Sequence, residues 1–219
     1  MSVSVPLLRP RGSVLADLIS VGRSRVSPLA RDAALVVGAA ALVGALAQIS
    51  ISLSFTPVPI TGQTLGVLLA GTALGWRRGA AAMALYGLAG LAGVPWFADH
   101  GHGYAGASFG YIVGFFFAAA ICGYLAERGA DRSILGSVPA MLAGEAMIYL
   151  FGVTWLYFDL RNSLHIGVGG ALHLGFTPFV IGDAIKATIA AGLLPAAWML
   201  VRRRGDRTDE SQPDQATSL

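Results

Sequence analysis

The sequence predicts an all-α integral membrane protein: six transmembrane helices in one bundle, with the N-terminus and the C-terminus both cytoplasmic. Three observations predict it. Hydrophobic residues make up 55% of the 219 residues and charged residues only 12%, against roughly 25% charged in an ordinary soluble domain. The apolar residues gather into long runs, the mark of helices that cross hydrocarbon. With six crossings drawn, the basic residues between the runs collect on one side, as the positive-inside rule requires.

The first 30 residues carry Arg9, Arg11, Arg23 and Arg25 but no compact apolar core followed by a cleavage site. They are expected to form a mobile cytoplasmic tail (1–30) rather than a secretory signal. The membrane domain is expected over 31–204, with helices near 33–53, 62–75, 79–97, 108–127, 135–158 and 177–201. The second helix, at about 14 residues, is shorter than the roughly 20 that a span needs. The preceding SFTPVPI supplies extended or interfacial backbone. Residues 205–219, GDRTDESQPDQATSL, are polar and rich in turn formers, which predicts a disordered cytoplasmic tail.

With the N-terminus inside, Arg31, Arg77, Arg78, Arg128, Arg132 and Arg202 to Arg204 all face the cytoplasm, and only Arg161 falls outside. Topology thus accounts for the excess of 15 Lys and Arg over 12 Asp and Glu, and no nucleic-acid partner is implied. Glycine and alanine recur four residues apart at Ala41 and Ala45, Gly62 and Gly66, Gly71 and Gly75, and Gly110 and Gly114. That spacing lets helix backbones approach closely in lipid. The single cysteine, Cys122, lies in an apolar run, which excludes an intrachain disulfide. No sustained internal repeat is visible, which argues against a site between two inverted halves.

Two ionisable residues sit inside the last apolar run, Asp183 and Lys186 in TPFVIGDAIKATIAAGLLPAAWMLV. A charge at the centre of a membrane helix costs roughly 2.5 to 3.5 kcal/mol on insertion scales, so such residues point to function. At i and i+3 they share a helix face, able either to neutralise each other or to hold two ends of a polar ligand. At about 1.5 Å per residue they lie roughly 9 and 14 Å below the outer surface. Tyr149 on the antiparallel fifth helix falls level with Lys186, and Glu145, one turn deeper, is a third intramembrane charge. With Asp183 and Lys186 they are expected to line a substrate-binding cavity open toward the outside. Tyr86 lies inside the third helix, where its hydroxyl needs a partner.

The segment from Ser54 to Thr64 contains Pro57 and Pro59, which exclude a continuous helix. Its Thr61, Gln63 and Thr64 offer hydrogen-bonding groups at the outer mouth, either as a lid over a ligand or as an ordinary capped connector. Trp96, Phe97, Tyr104, Tyr111, Trp155 and Tyr157 fall near the outer interface, where aromatic residues form belts. Asp99, His100, His102, His165 and His173 match no familiar metal spacing, so no metal is expected. No nucleophile with a base and orienting acid is recognisable, and no phosphate-binding GxxxxGK[ST] motif is present. The chain is therefore not expected to be an enzyme.

TPVPITGQTLGVLLAGTALGWRRGA, then LYGLAGLAGVPWF with a glycine-rich loop and FGYIVGFFFAA, then PFVIGDAIK, resemble the biotin transporter family BioY over roughly residues 33–200. The resemblance implies a six-helix S component of an energy-coupling-factor (ECF) vitamin transporter in the cell (inner) membrane. It would bind biotin as substrate, with no cofactor, and work with a coupling transmembrane protein and two ABC ATPases. Asp183 and Lys186 match the family's GD-x-x-K motif, and Gln63, Tyr86 and Tyr111 match further motifs, so the resemblance implies that all five bind the substrate. Ala41 and Ala45 resemble the small residues by which such components dock on the coupling protein. The loop ADHGHGYAGASFGY departs from the family pattern, in which a glycine-proline element precedes the tyrosine. A substrate-binding component for another small anionic vitamin is the alternative that the same site allows.

Overall fold

The computed structural model describes residues 13–18, 27–104 and 106–210, with side chains to residue 201. The order of elements is α1 (Pro28–Ala47), β1 (Ser50–Ile51), β2 (Ile60–Thr61), α2 (Gln63–Leu74), α3 (Trp76–Leu91), α4 (Phe109–Glu127), α5 (Ile134–Leu160), α6 (Val168–Gly175) and α7 (Val180–Glu210). Among the described residues, four helices are long and apolar enough to cross a membrane: Pro28–Ala47, Gly106–Glu127, Ile134–Leu160 and Val180–Val201. The 12 residues of α2 and 16 of α3 fall short of that length.

Local sequence sets the ends. Ser27 caps α1, its hydroxyl accepting from the Ala30 amide at 3.2 Å, with Pro28 in the first turn where its missing N–H costs nothing. Ser133 caps α5 in the same way through the Gly136 amide. The expected first helix ran to residue 53, but α1 stops at Ala47. Ser50 and Ile51 instead pair antiparallel with Thr61 and Ile60 in a two-stranded hairpin. Pro57 and Pro59 between the strands remove donors and hold the connection out of helix. A second departure is α6, a short helix absent from the six expected. Thr56 ties it to the hairpin by donating to the Leu174 carbonyl at 2.7 Å.

At the centre, α4 packs on α2, α3 and α5. The contacts are made at glycines. A Cβ on Gly71 would lie 2.6 Å from the Ala119 Cα, and one on Gly110 would lie 2.2 Å from the Trp155 Cβ. Between α2 and α3 the chain turns on Gly75 alone, at φ +84°, a conformation that favours glycine.

The first 30 residues are not all detached. Val14 and Ala16 are buried, and the 3-10 turn Leu15–Leu18 packs on α2 and α7. Asp17 pairs with Arg78 at 2.8 Å, Arg78 also pairs with Asp32 at 3.0 Å, and Arg31 donates to the Ala16 carbonyl. A short apolar triplet beside an acid thus docks this segment, which overturns the expectation of a wholly mobile tail there. Arg9, Arg11, Arg23 and Arg25 lie outside the described residues. At the other end α7 continues to Glu210, into the segment expected as a tail, and residues 211–219 lie outside the described residues. Ala41 and Ala45 are both exposed on α1, opposite its buried Ala40, Val43, Gly44 and Ala47.

Candidate substrate-binding site

The first turns of α7 carry Asp183 and Lys186, and the start of α2 with the strand before it carries Thr61, Gln63 and Thr64. Lys186 Nζ donates to Asp183 Oδ1 at 2.9 Å, to the Thr61 carbonyl at 2.6 Å and to Thr64 Oγ1 at 3.1 Å. All three ammonium donors are thereby used. Thr64 Oγ1 in turn donates to Asp183 Oδ1 at 3.2 Å, and Tyr149 on α5 donates to Asp183 Oδ2. One carboxylate thus gathers a cation and two hydroxyls from three elements, the kind of satisfaction that a charge needs away from water.

This cluster forms part of the wall of a cavity of about 310 Å³, within the range of ligand pockets, roughly 300 to 1,000 Å³. Thr61, Gln63, Tyr111, Tyr149, Asp183 and Lys186 all line it. Its apolar wall is Phe97, Ile112, Phe115, Ile148 and Phe179, each buried on its outer side by the bundle. Tyr111 presents its ring, because its hydroxyl is engaged by the Gly175 carbonyl at 2.6 Å. The cavity joins a small set of convergent polar groups to an aromatic wall, as pockets for small amphipathic molecules do.

Tyr86, expected at the ligand, does not reach the cavity. Its hydroxyl accepts from Gln63 Nε2 at 2.5 Å and donates to the Trp96 carbonyl at 3.1 Å, and its ring packs on Trp96 and Phe97 at 5.2 and 5.3 Å. The residue is fully buried because small residues of α3 bring the helix close to the 92–97 segment. It holds Gln63, which also accepts from Thr61 Oγ1 at 2.8 Å. Glu145 is a second correction. It is buried and does not line the cavity, and neither carboxyl oxygen has a hydrogen-bond partner among the described residues.

The loop after α3 supplies residues that composition alone did not mark as site residues. Asp99, His102, Tyr104 and Ser108 line the cavity together with Phe97. Phe97 and Tyr104 were expected as interface belt, and Asp99 and His102 drew notice only as residues that match no metal spacing. The glycines of the loop are the one local signal that could have found them. Gly93, Gly103 and Gly106 take positive φ and turn the chain back over the bundle, and Gln48 clamps the loop through the Trp96 and Phe97 carbonyls and the His100 amide. Among the described residues no group of three His, Cys, Asp or Glu could hold a metal ion.

The biotin transporter BioY of Rhizobium etli is 38% identical over 181 residues, which cover 78% of this chain and 94% of that protein. The probable biotin transporter BioY of Pyrococcus horikoshii is 36% identical over 164 residues, 74% of this chain and 92% of its own. Among solved structures, the S-component for biotin from an ECF-type ABC transporter superposes with a TM-score of 0.68 at 25% identity, covering 76% of this chain and 89% of that one. Since the model of the BioY family matches residues 17–203, nearly the whole described bundle and every residue of the cavity wall, the chain belongs to the BioY family.

Proposed function

We propose that this chain is the high-affinity biotin-binding S component of an uptake system, with six crossings of the cell (inner) membrane and both termini in the cytoplasm. The observation that carries this reading is the Lys186 and Asp183 cluster set against an aromatic cavity wall in a chain of this family. Biotin presents an anionic valerate carboxylate at one end, a neutral ureido ring with two N–H donors at the other and an apolar body between. Lys186 is the group that meets the carboxylate, by exchanging one of its protein acceptors for the ligand's. Asp183 accepts hydrogen bonds from ligand N–H groups while Tyr149 and Thr64 hold its orientation. Phe97, Phe115, Phe179 and the Tyr111 ring enclose the apolar body, with Thr61 and Gln63 closing the outer edge.

The family reading brings in a coupling transmembrane protein and two ABC ATPases as the source of drive, and the exposed Ala41 and Ala45 on α1 form the docking face. The chain itself performs no chemistry. The test is a titration of the purified chain in detergent with labelled biotin, repeated with Lys186→Ala and Asp183→Ala. Saturable wild-type binding below the micromolar range, weakened by Lys186→Ala, is the expected result. A wild-type chain that ignores biotin at micromolar concentration overturns the reading.

A further inference from the structure

Glu145 is a buried ionisable group that the cavity leaves unused. It is 6% exposed, lies one turn from Tyr149 toward Met141 on α5, and its two oxygens are shielded from solvent without a partner among the described residues. An apolar cluster that includes Leu68, Ala140 and Leu194 reaches it through Met141, one turn away on α5, and Cys122, within electrostatic reach of its carboxyl. An ionised carboxylate left alone in such a place costs several kcal/mol, and carrying a proton removes that cost.

We propose that Glu145 is a proton-binding site coupled to the anion site at Lys186: it keeps its proton while an anion occupies Lys186, and its protonation tightens that anion's binding. The inference rests on the reading of Lys186 as the anion anchor. Ionisable groups of three helices surround Glu145. From α7 come Asp183 and Lys186, from α5 itself Tyr149, and from α4 Cys122, with Tyr111 beyond Tyr149. The polar side chains of α2 are the neutral Gln63, Thr64 and Thr72. At the ends of α5, His173 of α6 is exposed and Asp131 is bonded to Trp198.

In this described set Lys186 is the cation, and it favours the ionised form of Glu145. An anion paired with Lys186 cancels that influence, so the proton is held more tightly. Linkage makes the effect reciprocal, and the proton strengthens anion binding by the same factor.

Two measurements on the full chain in detergent decide it. Infrared spectroscopy without biotin is expected to show a protonated carboxylic C=O band at neutral pH that Glu145→Gln removes. Absence of a Glu145-dependent band overturns the proton site. Biotin titrations over roughly pH 6 to 9.5 are expected to show wild-type affinity falling by about 5- to 150-fold, the usual span of coupling between sites, while Glu145→Gln keeps its acid-side affinity. Equal pH slopes in both, or weak binding by Glu145→Gln at every pH, overturns the coupling. If Glu145→Gln is unstable, Glu145→Met, which suits the apolar layer, gives the same two readouts. A wild-type chain that shows the band but ignores biotin overturns the proposed function and the coupling, and upholds the proton site.

Discussion

Lys186 Nζ lies 2.6 Å from the carbonyl oxygen of Thr61, so the last helix holds the strand before α2 by its backbone. No substitution of the Thr61 side chain removes that acceptor. An anion that draws Lys186 away from this carbonyl loosens the strand that forms the edge of the cavity.

Lys186→Ala is expected to weaken biotin binding by about 2 to 5 kcal/mol, the usual loss when one member of a buried charge pair is truncated. At 1.4 kcal/mol per decade this is roughly 30- to 4,000-fold in Kd. Lys186→Arg is not expected to restore it, because the planar guanidinium cannot reproduce three donors converging from one nitrogen. Asp183→Ala leaves Lys186 without its carboxylate and is expected to lower thermal stability as well. The double variant Lys186→Met with Asp183→Leu recovers stability without recovering binding, as thermal denaturation beside a biotin titration would show.

Tyr86→Phe separates holding from touching. It removes an acceptor for Gln63 and a donor to the Trp96 carbonyl, at a cost of about 1 to 3 kcal/mol in stability. Biotin affinity is expected to fall by less than about tenfold, since Gln63 keeps its contact with Thr61. A loss as large as that of Lys186→Ala would place Tyr86 against the ligand.

Gly110→Ala is expected to destabilise the bundle by about 1 to 3 kcal/mol through overpacking, because its Cβ would meet Trp155 Cβ at 2.2 Å and the Phe151 carbonyl at 2.6 Å. Gly182→Ala, with nothing within 4 Å of the added carbon, is the matched control and is expected to be neutral or mildly stabilising. Melting temperatures in one detergent compare them, and equal losses would show that the α4 and α5 contact is not the cause.

Two carboxyls on the basic-residue side respond to pH in opposite senses. Burial pushes the Asp131 carboxyl above its ordinary value of 3.8, against the lowering effects of Trp198, a backbone bond and Arg132. A raised value means that its stabilising contribution is complete below the ordinary value and is lost as pH rises through the folded one. For Asp17 burial also acts upward, but the hydrogen bonds from Arg78 and the Val14 amide and the charges of Arg78 and Arg31 outweigh it and lower its value. Its contribution is present above the ordinary value and lost as pH falls through the depressed one. Asp131→Asn is therefore expected to gain stability relative to wild type as pH rises toward neutrality, and Asp17→Asn to lose it. Melting curves across that range check both signs.

Long-range features of the fold were legible because hydrocarbon imposes length. The cores of α4, α5 and α7 are readable as apolar runs, and Asp183 with Lys186 stands out as charge within one. Tyr149 was placed by helix rise alone, and the structure brings it to Asp183. The fold of the 48–62 and 92–108 segments was not legible in the same way. Their positions depend on single clamps such as Gln48 and Thr56, whose partners lie tens of residues away and leave no periodic trace. Tyr86 and Glu145 show the remaining difficulty: periodicity gives depth along a helix, but small rotations decide whether a side chain meets a cavity, a neighbour or nothing.

The brevity of α2 has a consequence for how room for a ligand arises. Its 12 residues rise about 18 Å, against a hydrocarbon thickness of about 30 Å. The missing turns are those that would precede Gln63, where Val58 in a bend, Pro59 and the strand residue Thr61 line the cavity instead. The cavity opens beside this short helix, and the end of the hairpin forms part of its wall. An insertion that let α2 start two turns earlier would heal the bundle into an ordinary solid one and leave no place for a guest.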